Sequence, residues 1–86
     1  MRVLKYQVPF EDHPVISIPA GGQILQFRFQ KNEAWIWVLV DPAQDYQERV
    51  FRLSGTGHRI HIPLERLSYI GTAPGKGGIY HLFEVT

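Results

Sequence analysis

The sequence contains no cysteine, which excludes a disulfide framework, a thiolate metal site and a cysteine nucleophile together. It also lacks a dominant charge. Nine Lys and Arg stand against eight Asp and Glu, a formal charge of +1, too near balance for the many phosphate contacts made by a protein that tracks duplex nucleic acid. The longest apolar run, Ala34 to Val40 (AWIWVLV), is seven residues, where a membrane-spanning helix needs about 20. The opening stretch MRVLKYQVPFEDH carries a basic residue but no apolar core of a secretory signal. Neither a duplex, a membrane nor an export route is expected, and no repeat or low-complexity tract divides the chain.

What is present describes one folded domain over residues 1–86. Apolar residues make up 44% and charged residues 20%, far from the apolar-poor, highly charged composition of disorder. A domain this small buries only about 60 to 65% of the surface of its unfolded chain, so self-association would add stability.

Proline and glycine punctuate the chain at Pro9, Pro14, Pro19 with Gly21 and Gly22, Pro42, Gly55 and Gly57, Pro63, and Pro74 to Gly78. The pieces between them alternate with the period of strands. Gln23 to Lys31 places Leu25, Phe27 and Phe29 on one face and Gln26, Arg28 and Gln30 on the other, after Ile24. Asn32 and Glu33 supply a turn into Ala34 to Val40, which is apolar on both faces: Trp35, Trp37 and Leu39 on one, Ala34, Ile36, Val38 and Val40 on the other. Such a strand is either central in a covered sheet or packed on a second copy of the protein. Further strands are expected at Arg2 to Val8, Pro14 to Ile18, Arg49 to Leu53, Leu67 to Thr72 and Ile79 to Val85, with short helical pieces at Ala43 to Glu48, unless that stretch is a loop, and at Leu64 to Leu67. The fold class is mainly β, a compact antiparallel barrel or two-layer sandwich of about six or seven short strands.

Two glycine-rich segments are the candidates for chemistry. Ser54 to Arg59 reads SGTGHR, where glycines allow backbone N–H groups to point at an anion, helped by Thr56, Gly57, His58 and Arg59. It lacks the lysine and hydroxyl that close a Walker loop, and the competing reading is a structural turn. Pro74 to Gly78 (PGKGG) displays Lys76, either over an anion or as a solvated hairpin tip. Arg52 and Tyr80 flank these segments, and Trp35 and Trp37 offer a flat platform for a base, or else pack in a core or self-association surface.

His58, His61 and His81 are the one metal set worth considering, but His58 and His61 stand three apart, on opposite faces of a strand. Ser54, Ser68 and Thr56 lack a nucleophile-elbow motif, and no carboxylates pair across a cleft. No catalytic residue, metal or cofactor is assigned.

The stretches Lys5-Tyr6 with Pro9, Trp37 to Pro42, Gly55 to His58, Tyr69 to Thr72 and the glycine run before His81 to Glu84 resemble, over nearly the whole chain, small uncharacterised proteins of tailed bacteriophages and prophages. Trp35 and Arg59 to Pro63 stand outside that pattern. The resemblance transfers no catalytic assignment. It implies source and fold, a small accessory protein in the cytoplasm of an infected bacterium. The glycine loops, with the cations and aromatics near them, add the expectation that it binds and sequesters a small anionic, nucleotide-type immune signal at Arg52, Thr56, Gly57, His58, Arg59, Lys76, Trp35 and Tyr80. The alternatives are an inhibitor that masks a host defence protein and a virion or assembly accessory. A homo-oligomer is the expected state.

Overall fold

The computed structural model describes residues 1–86. Its strands are β1 (Arg2–Val8), β2 (Val15–Pro19), β3 (Gln23–Gln30), β4 (Glu33–Val40), β5 (Tyr46–Gly55), β6 (Leu67–Gly75) and β7 (Gly78–Val85), with one 3-10 turn at Leu64–Arg66. All pair antiparallel, β1-β4-β3 in one sheet and β2-β5-β7-β6 in the other. The sheets pack as two layers and do not close into a barrel. The smallest extent, 16 Å, suits two sheets about 10 Å apart.

The expected central strand is central. β4 lies between β1 and β3 and turns Ala34, Ile36, Val38 and Val40 into the core, against Ile16, Ile18, Phe51, Leu53 and Leu82. Its hairpin with β3 is closed by Lys31 and Asn32, both at positive φ (51° and 64°), the backbone that matches the twist of paired strands. The other face, with Trp35, Trp37 and Leu39, is half-buried in the isolated chain. Lys5, opposite Trp37 across the sheet, places its ammonium 4.1 Å from the Trp35 ring centroid and 5.6 Å from that of Trp37, and donates to Gln30 Oε1 at 2.6 Å. A cation over the indole faces and an alkyl stem along them partly cover this surface without a second copy.

Three expectations change. Leu25 does not share the inner face with Phe27 and Phe29: the β3–β4 register shifts between Ile24 and Gln26, and Leu25 is left 48% exposed. A one-residue bulge exchanges faces, so Ile24 packs on the core instead. Ala43 to Glu48 is not helical. Ala43 N–H donates to Asp41 Oδ1 and Gln44 N–H to Asp41 O, making one turn, and Tyr46 then begins β5 opposite Pro19. Ladder partners on β2 supply long-range what a helix would have supplied locally. Finally, β6 runs on through Pro74 to Gly75. It is an edge strand, where a residue without N–H is tolerated.

The two sheets approach closely where β3 crosses β6. A Cβ at Gly75 would lie 2.6 Å from the Phe29 ring, and one at Gly71 would lie 3.4 Å from Phe27 Cβ. Phe29 also meets Tyr80 (5.4 Å) and Phe10 (6.4 Å), and this aromatic cluster carries the core out to one end of the molecule.

Candidate functional site

The two glycine segments share that end because β5 and β7 are neighbours. Gly55 pairs with Tyr80, Gly75 with Gly78, and Thr56 N–H donates to Ile79 O at 3.0 Å, tying one loop to the base of the other. Between them lies a hollow of about 350 Å³ lined by Gly55, Thr56, His58, Gly77, Gly78, Ile79 and Tyr80. A second, of about 170 Å³, opens off the same Gly55, His58 and Tyr80 and is completed by Phe10, Glu11, Asp12 and Leu53.

Six of the eight expected residues line these hollows (Thr56, His58 and Tyr80) or stand on their loops (Gly57, Arg59 and Lys76). Gly57 and Gly77 take φ of +88° and +71°, conformations that side-chain-bearing residues adopt only with strain. The N–H groups of Gly57, Arg59, Lys76 and Gly77 donate to no protein acceptor. His58 lies against Gly55, where a Cβ would come within 3.1 Å of the imidazole. Tyr80 walls both hollows, and its hydroxyl donates to Lys76 O at 2.8 Å, fixing the hairpin tip. Lys76 holds its ammonium 4.9 Å from the Phe10 ring centroid. The Arg59 side chain is exposed beside the loop and forms no ion pair.

Arg52 and Trp35 are placed differently. Arg52 is only 6% exposed; its guanidinium donates to the carbonyls of Leu53, Asp12 (3.3 Å) and Arg59 (3.0 Å) and stands 3.4 Å from Asp12 Oδ1. Buried and bonded to three backbone carbonyls, it is placed as a strut between two loops. Trp35 lies on the outer face of the three-stranded sheet, where it lines a separate shallow concavity with Lys5, Gln30, Lys31 and Glu33.

Three residues of the site escaped sequence reasoning. Phe10, Glu11 and Asp12 belong to the β1–β2 connection, which is carried to the glycine loops when Leu53 N–H donates to Asp12 O and Phe51 N–H to Pro14 O. An exposed phenylalanine between two prolines was the available signal. His81 also takes an unforeseen place: its Nε2 is 2.7 Å from Thr56 Oγ1, its Nδ1 2.9 Å from Thr72 Oγ1, and Thr72 Oγ1 is 2.6 Å from the Tyr69 hydroxyl. This chain orients Thr56 at the rim of the larger hollow. The group behind the imidazole is a hydroxyl, where a Ser-His-Asp arrangement has a carboxylate. No three His, Asp or Glu side chains converge as metal ligands.

The site is bipolar. Unspent N–H donors and the exposed Arg59 stand on the glycine loops, Glu11 and Asp12 border the aromatic hollow, and the Lys76 ammonium lies between, over the Phe10 ring. Away from it, Arg49 and Glu84 form a two-pronged pair (2.6 and 2.7 Å), and Arg49 also donates to Gly22 O. The hydrogen bonds to Glu84 hold the guanidinium above its ordinary pKa.

A two-layer antiparallel β domain with a loop-built polar hollow is the class of protein these observations define. The chain belongs to the family described as a domain of unknown function, DUF7352, which matches residues 1–86. No curated protein and no solved structure matches it. No helix is long and apolar enough to cross a membrane.

Proposed function

We propose that the chain is a non-enzymatic binder of a small anionic ligand of nucleotide type, held where the two glycine loops meet. One observation carries the reading: the N–H groups of Gly57, Arg59, Lys76 and Gly77, none used within the protein, stand on two loops that border one hollow together with Tyr80. Unspent backbone N–H groups on glycine turns are the donors from which an anion nest is built, and Lys76 and Arg59 add charge. The aromatic wall of Phe10 and Tyr80, 5.3 Å apart and edge to face, receives the flat part of the ligand. Arg52 contributes by holding the loops, and His81 by holding Thr56. In the phage setting that the sequence resembles, such a binder sequesters a host signal in the bacterial cytoplasm.

Isothermal titration with linear and cyclic nucleotides tests this. Binding of at least one with Kd below about 100 μM, roughly −5.5 kcal/mol, is expected; silence across the panel overturns the reading.

A second reading, a partner protein or second copy on the outer face of the three-stranded sheet, is favoured by one observation. Val3, 53% exposed, pairs with Leu39 on the face that carries the half-buried Trp35 and Trp37, and Leu25, 48% exposed, stands at the bulge next to the residue that pairs with Trp37. Recovery from host lysate of one stoichiometric partner, lost in Trp37→Ala but kept in Gly57→Ala, would select it.

A further inference from the structure

Glu11 lines the aromatic hollow and has no cation on it. The two ion pairs of the molecule are Arg49–Glu84 and Arg52–Asp12, so Asp12 is partnered and Glu11 is not. The hollow, about 170 Å³, is slightly larger than the roughly 150 Å³ cavity that takes benzene, so it seats one ring of a fused base and leaves the other toward the larger hollow. Because Gly55, His58 and Tyr80 wall both hollows, a ring bound beside Phe10 carries its substituents toward the glycine loops. Glu11 stands among the residues around that ring.

An ionised carboxylate accepts at both oxygens and donates at neither, so its best complement is two parallel N–H groups. Guanine offers that edge, with N1–H beside its exocyclic amine. Adenine and cytosine set one amine beside a ring nitrogen whose lone pair faces the carboxylate, and uracil sets its single N–H between two carbonyls.

Resting on the nucleotide-type reading above, we infer that the site selects guanine: the base lies against Phe10 and Tyr80 with its N–H edge on Glu11, and the phosphate lies at Gly57, Arg59, Lys76 and Gly77. Glu11 is the specificity-determining residue. The lysine and the nest serve any nucleotide, so they set affinity, whereas the carboxylate sets the choice of base.

The test is titration of the full chain with GMP, AMP, CMP and UMP, which share one phosphate, repeated with Glu11→Gln and Glu11→Ala. Wild type should bind GMP at least about tenfold tighter than AMP, as one bidentate pair discriminates. Glu11→Gln, whose amide offers a donor beside an acceptor, should lose that preference while retaining AMP binding, and Glu11→Ala should flatten it. Similar binding of GMP and AMP by wild type, or an unchanged GMP preference in both variants, overturns the inference and leaves the anion site standing. Failure of all four to bind overturns the inference, and the anion-site reading falls with it only where the cyclic nucleotides are silent too. Glu11 is exposed on a loop, and an unchanged thermal midpoint in either variant keeps the comparison interpretable.

Discussion

The inner face of β4 and the glycine-loop end are opposites in how they use their backbone. Along β4, Ile36, Val38 and Val40 are fully buried and the ladder is satisfied on both sides by β1 and β3. At the loop end, four N–H groups remain unspent, two glycines sit at positive φ, and the side chains that hold the loops, Arg52, Tyr80 and His81, reach them from three directions. The contrast separates stability from recognition: substitutions in the first region should unfold the protein, and substitutions in the second should silence it.

Ile36→Ala should show the largest effect, a loss of about 2–5 kcal/mol by urea unfolding, because a fully buried side chain leaves a cavity between two sheets. Gly75→Ala should follow at about 1–3 kcal/mol, since its Cβ would overlap the Phe29 ring where β3 crosses β6. A wild-type midpoint there would show that the two sheets slide apart more easily than their contact suggests. Arg52→Met links the two regions. It removes charge-assisted bonds worth about 1.5–3 kcal/mol in similar settings, and nucleotide affinity should fall with stability as the Asp12 and Arg59 segments separate.

Gly57→Ala sharpens the contrast, with a cost of about 1 kcal/mol or slightly more from its φ of +88° but a loss of at least tenfold in nucleotide affinity. Equal loss in Gly57→Ala and Ile36→Ala of both properties would erase the distinction. The smallest effect belongs to Tyr6→Phe. The Tyr6 hydroxyl is buried without a hydrogen-bond partner, so its removal should leave stability unchanged or raise it by up to about 1 kcal/mol. Burial first, then the neighbouring Tyr46 phenol, push the Tyr6 pKa above its ordinary value. The neutral form is favoured in the fold, so stability should fall as pH rises from about 10 through the raised folded value, and Tyr6→Phe should blunt that alkaline loss.

Much of the fold was legible because β patterning is local. Arg2–Val8 and the two apolar faces of β4 follow from alternation, and the last hairpin from the glycines of Pro74 to Gly78; the turn expected at Asn32 and Glu33 falls one residue earlier, at Lys31 and Asn32, with Glu33 already in β4. Leu25 was misplaced because a bulge changes the facing of a residue without any mark in its own segment. The site was legible only in its glycine loops. Arg52 read as a ligand contact from its charge, and only the carbonyls of Leu53, Asp12 and Arg59 in space turn it inward. Phe10 and Glu11 arrive through hydrogen bonds spanning about 40 residues of sequence, which no local pattern encodes. The two tryptophans drew attention as a platform and belong to the other sheet, under Lys5.

Amide-resolved NMR during titration with GMP tests the division between the two regions most directly. The signals of Gly57, Arg59, Lys76 and Gly77 should move together and saturate, while those of Ile36 and Val38 and the indole N–H groups of Trp35 and Trp37 stay in place. Shifts confined to the tryptophan face, or none at saturating nucleotide, would contradict the assignment of recognition to the glycine loops.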